Sequence, residues 1–399
     1  MPLNRPGAVV GALTLCLALA PNASQSGTYR VLHAFDPNGS DGESPIGLIR
    51  DSQGNLFGTT FSSGGDTPGA IFKIAPDGTE TVLHIFGGGP DDGAFPGAGL
   101  ILDASGNLYG TTTDGGAEGG GGVFVFTAGG EEKLLYSFCW KTECRDGSDP
   151  SSALMRDNAG NFYGTTTSGG AHRVGTVFKL APDGTETVLH AFSGRADGSQ
   201  PYGTPIMDRK GNLYGTTAGG GGGDRLGTVF KLTPEGKEKL LHIFAGGSDG
   251  ARPQGGVIAD RNGNLYGTTL YGGGGACAQS LVTGCGTVFE LHRDGTETVL
   301  HAFAGGTDGS YPYAGLILDG DGNLYGTTSG GGTGTGCNEG CGTIFKIAPD
   351  GTETVLHTFT SATGATPYGG VIRDKKGNLY GAASAGGAFG AGVVFELKH

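Results

Sequence analysis

Once its first twenty residues are passed, this 399-residue sequence has no long hydrophobic run, so no membrane span is expected beyond them. Basic runs are missing too. The 25 Lys and Arg are scattered against 38 Asp and Glu, for a net charge of -13. Without a cationic stretch to neutralise phosphates, nucleic acid and anionic membrane surfaces are poor partners. No segment sustains a 3.6-residue apolar period, which argues against helix. Catalytic signatures are absent as well: there is no serine elbow leading into a helix, no H-E-x-x-H and no P-loop. The glycine runs near Gly219 and Gly272 have no following helix to make a phosphate cradle.

What the sequence has in excess is glycine. Its 85 glycines and 18 prolines exceed a quarter of the chain, a share that without a period would indicate disorder. Here they recur at fixed places beside β-branched and aromatic residues. The anchor Gly-Asn-Leu-Tyr-Gly-Thr-Thr starts, with small changes, at Gly54, Gly106, Gly160, Gly211, Gly263, Gly322 and Gly377. Seven copies at near-constant spacing define a repeat architecture.

Each copy carries four short apolar runs bounded by turn residues, named a to d: in the second copy 99–103, 107–112, 122–127 and 132–138. Radial repetition of four-stranded units predicts an all-β fold, a seven-bladed β-propeller with four antiparallel strands per blade. The order of strands supports closure. The chain enters on a d strand (29–35) and its last blade reaches only c (392–398), so the N-terminal strand is expected to complete the last blade. The a-to-b and c-to-d links are tight Asp, Asn and Gly turns on one face. The b-to-c loops (62–68, 114–121, 168–174, 219–226, 271–285, 330–341 and 385–391) vary in length and share the other face with the d-to-a links. Ligand binding is expected on that variable face.

The N-terminus reads as a secretory leader: Arg5, the apolar stretch 7–20, then small and polar residues. This assigns 1–24 to a signal peptide and 25–399 to one propeller domain, secreted, extracellular or periplasmic. Leu15 before Cys16 fits a lipidation site poorly. The other six cysteines form close couples, Cys139 with Cys144, Cys277 with Cys285 and Cys337 with Cys341. In an exported chain these predict three local disulfides. None is C-x-x-C and no histidine lies at finger spacing, so no metal centre is expected there.

The unit GNLYGTT…GTVFKL…GTETVLHxF resembles the tandem repeats of the choice-of-anchor GloVer-repeat proteins, an exported bacterial family, across 29–399. A more distant likeness joins it to the D-x-x-G-N-[LIV]-Y blades of NHL-type propellers. The resemblance implies export and, by the family name, surface anchors after the repeats, whereas this sequence reaches His399 one residue past its last expected strand. It carries no established activity and no catalytic residues.

Three recurring features are candidate sites. His33, His84, His190, His242, His301 and His357 lie on strand d with Tyr136 taking the place once, a pattern of core and rim packing. Asp-Gly-x-x-Pro recurs at Asp41, Asp92, Asp146, Asp197, Asp249 and Asp308, with Thr363 breaking the series. It reads first as turn chemistry. A carboxylate ring near the channel mouth, holding a structural cation, is the competing reading. Finally, Tyr202, Tyr313 and Tyr368 follow Pro at the entry to strand a, and Trp140, the single tryptophan, sits between Cys139 and Cys144. Aromatic faces beside carboxylates suit sugars, which makes Trp140, Tyr202, Tyr313, Tyr368, Asp197 and Asp308 the expected ligand-binding set. The function expected is a monomeric, non-catalytic binding module for a polysaccharide or surface protein, with no cofactor beyond that cation. The alternative is a carbohydrate-active hydrolase or lyase using acids on the variable face, where His172 is the one loop oddity.

Overall fold

The computed structural model describes Met1 and residues 27–39, 41–62, 67–223, 225–279 and 282–399. The expected leader and Cys16 lie outside them. Seven four-stranded antiparallel sheets follow one another around a ring. In blade 2 the strands are Ile101–Leu102, Leu108–Thr112, Gly122–Phe126 and Glu132–Ser137, side by side in that order. Blade 7 is completed as expected. Val371–Arg373, Leu379–Ala383 and Val393–Leu397 are joined by Tyr29–Ala34, with Tyr29 opposite Leu397 and Ala34 opposite Val393. The one helical element among the described residues is a single 3-10 turn, Thr142–Cys144.

The repeat explains the sheet from within. In each blade the second glycine of the anchor pairs across strands with a phenylalanine of strand c, Gly110 with Phe124 in blade 2. A Cβ on Gly110 would stand 2.6 Å from that ring's tip, so only glycine lets the ring lie flat across strand b. In five blades the anchor tyrosine reaches the a-to-b hairpin, its hydroxyl donating to an Asp, at 3.0 Å for Tyr109 and Asp103, while blade 1 has Phe57 there and Tyr266 donates to Glu290 instead. Asp103 also accepts from Asn107, closing the turn. Strand a has only two or three paired residues in blades 2 to 7 but eight in blade 1, Glu43–Arg50, and there the strand meets the next blade backbone to backbone. A Cβ on Gly47 would lie 2.9 Å from Gly99 Cα.

Hydrophobic burial is organised between blades. Seven clusters form, each drawing residues from two neighbours. At the heart of each, the phenylalanine ending strand d meets the strand-c phenylalanine of the following blade edge-on. The ring centroids of these seven pairs, from Phe35–Phe72 to Phe359–Phe395, lie 4.9–5.3 Å apart. Such contacts add about 0.5–1.5 kcal/mol each beyond area burial. In five blades the first anchor threonine then bonds across the junction, as Thr111 does to the Ser152 carbonyl at 2.9 Å and Thr216 to Gly255 at 2.9 Å, while the Thr165 hydroxyl of blade 3 is buried without a partner. Blade 7 carries alanines there, and Ser384 makes the cross-blade bond to Pro45 instead.

Phe35 is fully buried between blades 7 and 1. Phe35→Ala is expected to cost about 3–5 kcal/mol in denaturant unfolding. Deletion through Phe35 should uncover the edge of Val393–Leu397 and cause aggregation or a steep loss of stability. An unchanged unfolding midpoint in the deletion would refute closure by this strand.

Candidate functional site: the variable mouth of the ring

Every d-to-a link ends in a proline flanked by two side chains that differ from blade to blade. Around the ring these are Ser44 and Ile46, Phe95 and Gly97, Asp149 and Ser151, Gln200 and Tyr202, Arg252 and Gln254, Tyr311 and Tyr313, Thr366 and Tyr368. The residue before proline has a left-handed backbone in all seven, with φ between 49° and 60°. For residues with a Cβ this costs about 1 kcal/mol or more each.

The surrounding backbone enforces it. The N–H of Gln200 donates to Val174 O at 2.8 Å, in the preceding blade's loop, and its carbonyl accepts from Ala218 N at 3.0 Å, in the following blade. Tyr311 repeats this with Cys285 O at 2.7 Å and Ser329 N at 3.0 Å. The proline ring seats on a glycine at the start of the preceding blade's strand c. At Gly175, with φ of 107°, a Cβ would stand 2.6 Å from Pro201 Cδ. The backbone is therefore constant while its side chains are free to differ.

Four of the resulting side chains make an arc. Tyr202, Gln254, Tyr313 and Tyr368 enter from blades 4, 5, 6 and 7, facing the smaller Ile46, Gly97 and Ser151. Tyr313 and Tyr368 meet edge-on with centroids 5.0 Å apart. Burial, then the neighbouring Tyr202 and Tyr368, push the Tyr313 hydroxyl up to about 12. Burial and Asp149 raise Tyr202 while Arg252 opposes them. None of the three hydroxyls has a hydrogen-bond partner among the described residues, and Gln254 Oε1 is buried without one. Beside the arc lies a cleft of about 470 Å³ lined by Tyr271, Tyr311, Tyr313, Tyr368, Thr366 and Glu339 among others. Tyr271 packs edge-on against Tyr311 at 5.8 Å and lies beneath the Arg252 guanidinium at 5.9 Å.

The structure thus gathers three of the expected residues, Tyr202, Tyr313 and Tyr368. It adds Tyr271, Tyr311, Arg252, Gln254 and Glu339, which the sequence reading missed. For Arg252, Gln254 and Tyr311 the signal was present, since the two positions beside each link proline vary where the flanking strands do not, whereas Tyr271 and Glu339 lie in b-to-c loops of varying length.

Trp140 stands apart. It is 69% exposed on the turn closed by Cys139 and Cys144, and lines a separate groove of about 480 Å³ with Pro90, Asp91, Leu135 and Tyr136. All three expected disulfides are present. His172 is exposed on its loop.

Asp197 and Asp308 do not join the tyrosines. Each turns back to the outermost strand, Asp197 to His190 at 3.4 Å and the Ser193 N–H, Asp308 to His301 at 3.4 Å and the Ala304 N–H. Asp41, Asp92 and Asp249 do likewise with His33, His84 and His242, and Asp146 accepts from Tyr136. The acids and the histidines, which read as separate motifs in sequence, are partners at the rim and not a carboxylate ring at the mouth. The reason is local: the carboxylate closes the turn leaving strand d by accepting backbone N–H groups there.

Fold and site together define a closed seven-bladed propeller with a uniform hairpin face and a varied mouth. The chain belongs to the Gloeobacter/Verrucomicrobia repeat family, whose model matches residues 21–225, 119–281 and 203–399 in overlapping stretches. No curated protein matches by sequence. Among solved structures it is similar to the extracellular domain of a protein assigned as a one-component system from B. thetaiotaomicron, at 12% identity and TM-score 0.56, covering 93% of this chain and 40% of that one. The chain thus spans less than half the length of that protein. A gluconolactonase from Xanthomonas campestris matches at 14% identity and TM-score 0.45, over 93% of this chain and 89% of that one. The first of these likenesses shows the fold. No helix among the described residues is long and apolar enough to cross a membrane.

If the left-handed positions serve display, glycine should be tolerated there. Thr366→Gly and Arg252→Gly are expected to leave stability within about 1 kcal/mol of the parent or to raise it. A loss above about 2 kcal/mol on thermal unfolding would show that those side chains support the fold.

Proposed function

We propose that this propeller is an exported, non-catalytic recognition module that binds a glycan at its mouth. The observation carrying this reading is the arc of Tyr202, Gln254, Tyr313 and Tyr368. It offers aromatic faces together with hydroxyls and an amide oxygen that the protein leaves without partners. A sugar presents C–H faces and hydroxyls in the same alternation, so one ligand satisfies both. Three disulfides suit an oxidising compartment and support export. The cleft beside the arc is lined by one acid, Glu339, and Asp149 acts on Tyr202 at the other end of the arc, whereas glycoside cleavage by the usual route needs two carboxylates flanking one bond. Recognition without bond cleavage fits this arrangement better than hydrolysis does.

A glycan array on the purified chain, paired with a reducing-sugar release assay, tests the reading. Binding without release of reducing ends is expected. Tyr313→Ala and Tyr368→Ala should each weaken binding about tenfold or more while leaving the fold intact. For a polymer long enough to reach the rim, Trp140→Ala should weaken binding as well. Affinity that survives both tyrosine substitutions places the site elsewhere.

A further inference from the structure

The rim carries an unexplained charge pattern. At five blade junctions a strand-d histidine and its link aspartate face the glutamate that opens the next blade's strand d. The junctions are His33, Asp41 and Glu80; His84, Asp92 and Glu132; His190, Asp197 and Glu238; His242, Asp249 and Glu297; His301, Asp308 and Glu353. In all five the glutamate Oε1 is buried with no hydrogen-bond partner, as is that of Glu186 at the junction where Tyr136 replaces histidine, and an orphaned buried carboxylate oxygen is costly.

The other two junctions act as internal controls. Where Tyr136 replaces histidine, Lys141 arrives and sets its ammonium 2.7 Å from Glu186 Oε2, on a side chain only 1% exposed. Where the ring closes, both acids disappear together. Tyr29 stands in the glutamate position and Thr363 in the aspartate position, and Tyr29 stacks on His357 at 3.8 Å while donating to the Thr363 carbonyl at 2.6 Å. The two acids are kept or lost as a pair, and where the imidazole is lost a fixed cation takes its place.

At one junction the geometry suffices for an ion. One ligand atom each from His84, Asp92 and Glu132 lies within 4.8 Å of the others. We propose that this junction binds a divalent transition-metal ion of the zinc class, bridging blade 1 to blade 2. One imidazole nitrogen and two carboxylate oxygens are a ligand set suited to zinc, for which bonds of about 2.0–2.2 Å are expected. A dication balances both carboxylates and occupies the orphaned oxygen. His84 and Asp92 are 24% and 23% exposed, which leaves a path for the ion and room for water as the fourth ligand.

The test uses the full mature chain, stripped with EDTA and titrated with zinc by calorimetry, with metal analysis after desalting. The parent should retain zinc and melt at a higher temperature in its presence. Glu132→Gln, near-isosteric and without the charge, and His84→Tyr, which copies the natural Tyr136 junction, should each retain one fewer ion per chain. Both should keep the parent's zinc-free circular dichroism. No uptake by the parent at about 100 µM free zinc, or uptake in both variants equal to the parent's, would overturn the proposal.

Discussion

Each blade of this protein is held to the next by one contact repeated seven times, the phenylalanine that ends strand d against the strand-c phenylalanine of its neighbour. The second ring can lie where it does only because a glycine faces it on strand b. No blade owns a core of its own, since every hydrophobic cluster spans two. A four-stranded sheet alone would expose its faces and its edge. The ring must therefore close, and Tyr29–Ala34 with Phe35 behind it supply the closing side of the seventh junction.

Closure also explains why the mouth can vary. Once the junctions fix each blade, the link prolines and their backbone hydrogen bonds hold seven equivalent positions in one unusual conformation. Side chains there bear no part of the core, so Arg252, Tyr311 and Thr366 can replace one another in role without disturbing the sheet. A regular scaffold with irregular residues at one constant location is what recognition of an extended ligand calls for. The rim follows the opposite logic: its residues change only in compensating sets, as Lys141 does with Tyr136 and Tyr29 with Thr363.

Much of this was legible in the sequence. The anchor repeat and the offset between its first d strand and its last c strand specify blade number and closure, because strand order is a property of the chain itself. Cysteine proximity specified the disulfides for the same reason. What escaped depends on residues brought together by the ring. The left-handed state of Gln200 or Tyr311 comes from hydrogen bonds to two different blades, and nothing in the local sequence announces it. Asp197 and Asp308 precede the link to the inner strand, which suggested the mouth, yet their histidine partners seven residues earlier keep them at the rim. Trp140 shares a face with the tyrosines but lines its own groove, a separation set by its position after the outermost strand.

The closed ring is tested most directly by permuting it. Residues 27–35 can be moved behind His399 through a Pro-Asp-Gly-Thr turn like that at 182–185, so that the seventh blade becomes continuous in sequence. If the N-terminal strand acts only as the fourth strand of that blade, the permuted protein should fold and unfold in denaturant at the midpoint of the parent, within error. A permuted chain that aggregates, or that unfolds at markedly lower denaturant, would contradict closure by these residues.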